Sequence, residues 1–281
     1  METPLLYRQL QDQLRQWVKP KDQRHLQGFA EIIAAILQSK SACLGEWIPY
    51  LSHRCCGARA HMERLSYVHN AQITAERFYE PLLHYALQAL TGEAVLLTLD
   101  TSLLWDKFCL VEVCLVWGGR SITLAQTVLE HGSATVGFEQ YQPLLARAAQ
   151  VLPKGCEVTL LADRGFEHGA LLHWLQQHHW SWAIRAKSDL NVTFTDGRTV
   201  AVQHLLPLSE QAYLFPNISV LNGIACHLAT ATVAGAKESW AVLSERVPSL
   251  QTFALYGQRF GGIEPHFKDY KSAAFGVLQS G

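Results

Sequence analysis

The chain has 281 residues, of which 49% are hydrophobic and 17% are charged, with 19 glycines and 10 prolines. This composition is that of a folded globular protein, and it excludes disordered, collagen-like and small disulfide-stapled classes. The formal net charge of -1 excludes a general basic field, so any contact with DNA must come from local patches of Lys and Arg.

Two further classes are excluded by the pattern of residues. No run approaches the roughly 18 apolar residues of a membrane span, and the N-terminus lacks the basic and apolar segments of a signal peptide. The seven cysteines contain no C-x-x-C pair and no zinc-ribbon spacing, so we expect reduced thiols. Together these features predict a cytoplasmic protein with no membrane partner.

Residues 1–90 are predicted to form an N-terminal helical region. Apolar residues recur there at intervals of three and four, as in Phe29, Ile32 and Ile36, and the breaks between such runs indicate four or five helices. Arg59 and Arg64 stand in one of these helices beside apolar neighbours. Two interpretations stay open, namely a solvated amphipathic face and a helix that enters the DNA major groove, to which Arg54 would also contribute.

Residues 91–188 change to a mixed pattern of strands and helices. Three apolar runs, AVLLTLDTS, KFCLVEVCLVW and RSITLAQTVLE, are separated by short turns. A helix over about 141–152, the strand EVTLLAD, a helix over about 168–178 and a strand at 182–185 follow. The order β-β-β-α-β-α-β predicts the first part of an RNase H-like mixed sheet in an α/β protein.

The last two segments are a predicted β-rich insertion at 189–237 and the C-terminal part of the core at 238–281. Asp196-Gly197 and Asn222-Gly223 are hairpin signals within the insertion. Residues 250–270 are expected to be helical with an interruption at Gly261-Gly262. Because Pro265 suits the first turn of a helix, Glu264 is expected at a helix start.

Three acidic residues are candidates for chemistry. Asp100 lies near the end of the first apolar strand, and Asp163 ends the fourth. A carboxylate in such a run is costly to bury unless it is paired or bound to a metal. The alternative for Asp163 is a helix cap. Glu264, the third candidate, is four residues from Lys268 and seven from Lys271, so an exposed ion-paired helix is its alternative. Strands one and four are neighbours in the predicted sheet, which would bring the two aspartates to one divalent cation.

The motifs LTLDTS, LLADRGF and Tyr-x2-Arg-x4-Glu-x6-Lys resemble the signature of bacterial DDE transposases of the insertion-sequence-four family, over about residues 24 to 276. The resemblance implies an RNase H-like core that carries a β-rich insertion and an enzyme that cleaves DNA and transfers strands at the ends of an insertion sequence. It also implies Mg²⁺, for which Mn²⁺ can substitute, terminal-repeat and target DNA as double-stranded partners, and a homodimer on DNA.

The resemblance also assigns roles to residues. Two bound cations activate the nucleophile and stabilise the leaving 3'-oxygen, and the residues that would hold them are Asp100, Asp163 and Glu264. Arginine and lysine side chains would hold phosphates. The residues implied in DNA or phosphate binding are Tyr256, Arg259, Lys271, Arg164, Arg59 and Arg64.

Two features depart from the family pattern. Four residues separate Arg259 from Glu264 where the family has three, and the chain stops ten residues past Lys271, where family members continue. We therefore expect a C-terminally truncated copy. The alternatives to an active transposase are a transposase-derived DNA-binding protein without catalysis and a metal-dependent nuclease on the same core.

Overall fold

The computed structural model describes residues 3–41, 43–51, 72–208, 211–232 and 238–271. The chain divides into two compact units, one of Met1–Ala89 with Lys268–Gly281 and the other of Leu90–Phe267. We expected an insertion at residues 189–237 to interrupt the core, and these boundaries stay a prediction.

Among the described helices, none combines the length and the apolar character that crossing a bilayer requires. Described cysteines are free thiols, three of them buried: Cys109, Cys114 and Cys226.

The first unit is helical. Its helices are α1 (Thr3–Trp17), α2 (Gln23–Ser39), the short α3 (Leu44–Trp47) and α4 (Glu80–Leu87), which follows a π-helical turn at Ala75–Tyr79. Leu14, Leu26 and Phe78 belong to its buried core. The predicted N-terminal helical region is therefore confirmed. Arg54, Arg59 and Arg64 lie outside the described residues.

The second unit is built on one sheet. Its strands are β1 (Ala94–Leu104), β2 (Phe108–Trp117), β3 (Arg120–Leu129), β4 (Glu157–Ala162), β5 (Ser181–Arg185), β6 (Asn191–Thr193), β7 (Thr199–Ala201), β8 (Ala212–Val220), β9 (Ile224–Ala231) and β10 (Trp240–Ser244). Three helices accompany them: α5 (Phe138–Val151), α6 (Gly169–Gln177) and α7 (Gln251–Lys271).

The sheet confirms the expected fold class. Its strand order is β3-β2-β1-β4-β5-β10-β9-β8-β6-β7. Strands β1 to β3 form an antiparallel meander, while β1, β4 and β5 are parallel neighbours connected through helices α5 and α6. This is the mixed sheet of an RNase H-like core. The inserted strands extend the same sheet, because β9 pairs with β10 beside β5.

Both hairpin signals of the insertion lie where the sequence places them. Strands β6 and β7 pair around Asp196-Gly197, and β8 and β9 pair around Asn222-Gly223. Asn222 and Gly223 have φ angles of 67° and 101°. These angles lie in the left-handed region that tight hairpin turns require and that Asn and Gly tolerate.

Helix α7 corrects two expectations. It runs without interruption from Gln251 to Lys271, and it carries Pro265 in its interior. Glu264 is thus in the middle of a helix and not at its start. The reason is packing: Tyr256 and Ile263 are fully buried, and this burial holds the helix together despite its weak local propensity.

The two glycines of α7 have different surroundings. A Cβ atom at Gly262 would lie 3.1 Å from Ser121 Oγ and 3.1 Å from a Val116 methyl group, whereas a Cβ at Gly261 would have no neighbour within 4 Å. Gly262 therefore permits the close approach of α7 to strands β2 and β3. Gly261 has no such role.

These surroundings predict opposite effects of two alanine substitutions. Gly262→Ala is expected to lower the free energy of unfolding by about 1 to 3 kcal/mol, because the methyl group must displace packed side chains. Gly261→Ala, the matched control, should raise it by up to about 1 kcal/mol, because alanine favours the helix. Urea unfolding measures both. Equal effects would show that α7 does not approach the sheet this closely.

Candidate active site

The strand register places Asp100 and Asp163 beside each other on two central strands of the sheet. Leu99 of β1 lies opposite Ala162 of β4 in the parallel pairing, and Asp100 and Asp163 are the residues that follow them. Asp163 ends its strand as expected, whereas Asp100 lies inside β1, because the pairing of β1 with β2 continues to Leu104. Neighbouring strands lie about 4.8 Å apart. The two carboxylates thus belong to adjacent backbone positions, although they are 63 positions apart in sequence.

Asp100 makes a buried ion pair with helix α7. Arg259 Nη2 donates to Asp100 Oδ2 over 2.6 Å, and the two side chains are only 6% and 14% exposed. The backbone N–H of Thr101 donates to the other carboxylate oxygen over 2.8 Å. The guanidinium of Arg259 also lies over the Phe260 ring, 5.4 Å from its centroid. The resemblance implies phosphate binding for Arg259, which stays a prediction; in this structure Arg259 binds Asp100.

Burial outweighs the effect of Arg259 on the protonation of Asp100. Burial raises the pKa of Asp100 to about 6, and the charges of Asp163 and Glu264 raise it as well, against the opposing effects of Arg259 and the Thr101 N–H. The buried position of Asp100 is thus the main reason that its charged form is disfavoured.

Asp163 also has the capping role that the sequence left open. Its side chain accepts a hydrogen bond of 2.7 Å from the backbone N–H of Arg164 at the start of a 3-10 turn, Arg164–Phe166. One carboxylate can serve both purposes, because the cap uses one oxygen and leaves the other available.

Glu264 is exposed on α7. Within the described part of the chain, Asp100, Asp163 and Glu264 do not form a group whose ligand oxygens all lie within 4.8 Å of one another. The expected close convergence of all three is therefore not present in this structure. Carboxylates repel one another without a cation between them, and Asp100 is held by Arg259.

Helix geometry explains the position of Glu264. Each residue turns an α-helix by about 100°, so a glutamate four residues after Arg259 would lie only about 40° around the helix from it, whereas the fifth residue lies about 140° away. In this chain the fourth residue is Ile263, which is fully buried, and Glu264 is the fifth. The additional residue thus moves the carboxylate off the helix face that meets the sheet.

Tyr256 lies inside the core. It is fully buried, and its ring contacts those of Trp240 and Phe260 edge to face at 5.4 and 5.9 Å. Burial raises the pKa of its hydroxyl above the usual range. The ring thus packs in the core one helical turn before Arg259, and its implied contact with phosphate stays a prediction.

The other basic residues named as candidates lie in different parts of the chain. Arg164 and Arg185 both bind Glu238, over 2.9 and 2.8 Å. An exposed pair such as Arg164 with Glu238 contributes at most about 1 kcal/mol, so a DNA phosphate can compete for the arginine. Lys271 is exposed at the end of α7, in the other unit of the structure. Arg59 and Arg64 belong to the undescribed segment 52–71.

An acidic residue that was not among the candidates from sequence lies beside Asp100. Glu112 is fully buried on β2 and lies directly opposite Asp100 in the antiparallel pairing. It contacts His266 of α7 and has Cys114 two residues further along the strand. The signal was available, because Glu112 is a charged residue inside the apolar run KFCLVEVCLVW, just as Asp100 is inside its own run.

The DDE resemblance implies an RNase H-like sheet with one carboxylate on the first strand, one directly after the neighbouring parallel strand and one on the last helix. Residues 108–280 match the family model described as the transposase DDE domain. This range covers more than half of the chain, so the chain belongs to the transposase DDE domain family. The matched range includes Asp163 and Glu264 and begins after Asp100.

One solved structure similar to this chain is the cryo-EM structure of the piggyBac transposase synaptic complex with hairpin DNA. The sequence identity is 11% and the TM-score is 0.48, and the similarity covers 92% of this chain. This chain spans 66% of the length of that one. No curated protein matches the sequence.

Proposed function

We propose that this chain is a DNA transposase of the insertion-sequence-four family, which cleaves and joins phosphodiester bonds at the ends of an insertion sequence with Mg²⁺ or Mn²⁺. The observation that carries the proposal is the adjacency of Asp100 on β1 and Asp163 directly after β4, two neighbouring parallel strands. Membership of the transposase DDE domain family supports it. The proposed place of action is the cytoplasm, where bacterial DNA lies.

The donor set fits a hard divalent cation. Asp100, Asp163 and Glu264 offer carboxylate oxygens, which are the ligands that Mg²⁺ prefers. When bound, the metal supplies activation of the attacking oxygen and stabilisation of the leaving 3'-oxygen. Arg259 holds Asp100 in place by its short hydrogen bond and so fixes one ligand in advance.

The proposed DNA contacts are a small number of basic side chains. Arg164 is the candidate beside Asp163, Lys271 is the candidate on α7, and Arg59 and Arg64 are the candidates in the N-terminal region. With a net charge of -1, binding of double-stranded DNA should depend on these few contacts and weaken steeply with salt. The proposal includes a homodimer that holds two DNA ends.

A strand-transfer assay tests the proposal. The substrate carries the inverted repeats that flank the gene, and the products are followed with Mg²⁺, with Mn²⁺ and with a chelator. Cleavage followed by joining, only when metal is present, is the expected result. Cleavage without joining would identify a nuclease on the same core.

A second candidate is a DNA-binding protein of transposase origin without catalysis. The observation in its favour is the position of Glu264 on α7, about 140° around the helix from Arg259, with Ile263 buried in its place. The exchange variant Ile263→Glu, Glu264→Ile restores the family spacing. This second candidate would be established if the wild type bound the repeats without cleaving them and the exchange variant cleaved them.

A further inference from the structure

A second cluster of potential ligands lies on the neighbouring strand, under helix α7. Glu112 and Cys114 are two apart on β2 and so share one face of the sheet, and His266 reaches them from α7. Glu112 and Cys114 are fully buried. One ligand atom from each of the three residues lies within 4.8 Å of the other two. Carboxylate, thiol and imidazole groups thus meet at one point.

The contacts within the cluster are close. His266 Nε2 lies 3.3 Å from Glu112 Oε2. Thr123 of β3 donates its hydroxyl to the other oxygen of Glu112 over 3.4 Å, and the same hydroxyl lies 3.3 Å from His266 Nε2 and 3.9 Å from Cys114 Sγ.

We propose that Glu112, Cys114 and His266 form a zinc site that is distinct from the magnesium site and joins α7 to strand β2. Zinc is bound by sulfur, nitrogen and oxygen ligands at about 2.0 to 2.3 Å, so two ligands of a tetrahedral site lie about 3.3 to 3.8 Å apart. The separation of 3.3 Å between His266 Nε2 and Glu112 Oε2 matches this spacing.

The types of ligand distinguish the two sites. Asp100, Asp163 and Glu264 offer oxygen alone, which suits Mg²⁺, whereas a thiolate and an imidazole select zinc over magnesium. Three protein ligands leave a fourth position for a water molecule. The hydroxyl of Thr123 orients Glu112 from outside the ligand set, as is usual around bound zinc.

Zinc binding requires a change of protonation at Cys114. Burial raises the pKa of this thiol well above its usual value, and the Glu112 carboxylate raises it further. Without a metal the thiol keeps its proton. On binding, the S–H bond breaks, the proton leaves to solvent, and the sulfur electron pair forms the bond to zinc, with no oxidation or reduction.

Cobalt spectroscopy tests the site on the full-length chain. After treatment with a chelator and dialysis, the protein is titrated with Co²⁺, which takes zinc sites and gives a near-ultraviolet charge-transfer band only when a thiolate is a ligand. We expect the band to saturate at one equivalent and to disappear when Zn²⁺ is added. Cys114→Ala should abolish it, and His266→Gln should weaken Co²⁺ binding at least about tenfold.

The matched control is Cys226→Ala, which removes a buried thiol from β9 and should leave the band unchanged. Absence of the band in folded wild-type protein, shown by circular dichroism, would overturn the proposal. A band that persists in Cys114→Ala would place the metal on other cysteines and would overturn it as well. Neither result bears on Mg²⁺-dependent strand transfer, whose ligands include no thiol, so the two proposals fail separately.

Discussion

Replacing Asp163 by asparagine is expected to abolish metal-dependent cleavage of terminal-repeat DNA and to leave thermal stability unchanged. Asparagine keeps the shape of the side chain and accepts the Arg164 N–H as well as aspartate does, because the two residues rank together as caps. It removes the negative charge that a magnesium ligand supplies. Cleavage in Mg²⁺ and in Mn²⁺, measured beside the melting temperature, separates the two roles of Asp163.

The control for this prediction is Asp196→Asn. Asp196 also accepts a hydrogen bond from a backbone N–H, that of Arg198, but it lies in a hairpin of the insertion, between β6 and β7. Cleavage by this variant should equal that of the wild type. If Asp163→Asn cleaved as well as the wild type, Asp163 would not be a metal ligand and the proposed mechanism would be wrong.

The second large effect is expected at the buried ion pair. Arg259→Leu should lower the free energy of unfolding by about 3 kcal/mol in the presence of a chelator, because it leaves the buried Asp100 carboxylate without its cation. Mg²⁺ or Mn²⁺ should restore part of the loss, since a cation that binds only the folded state stabilises it. Urea unfolding with and without metal measures both effects.

Arg164→Leu is the matched control for that experiment. Its ion pair with Glu238 has side chains that are 46% and 50% exposed, so its loss should cost less than about 1 kcal/mol. Unchanged stability of Arg259→Leu would show that the pair with Asp100 contributes nothing to folding. If metal did not restore the stability of Arg259→Leu, the result would argue against a cation site at Asp100.

The sequence by itself determined the local elements and the two aspartates of the site. Apolar runs bounded by turn residues predicted β1 to β5, and the hairpin signals at Asp196-Gly197 and Asn222-Gly223 predicted the inserted strands. Asp100 and Asp163 were recognisable because a carboxylate inside an apolar run or at its end is exceptional. These features depend on neighbours within a few residues, which is the range over which side-chain pattern and turn chemistry act.

The tertiary structure alone decided which faces meet. Gly261-Gly262 and Pro265 favoured a broken helix, and burial of Tyr256 and Ile263 against the sheet made α7 continuous. The pairing of Arg259 with Asp100 joins residues 159 positions apart, and that of His266 with Glu112 joins residues of α7 and β2. Periodicity shows that an element has two faces, but the partner of each face is set by packing among residues distant in sequence.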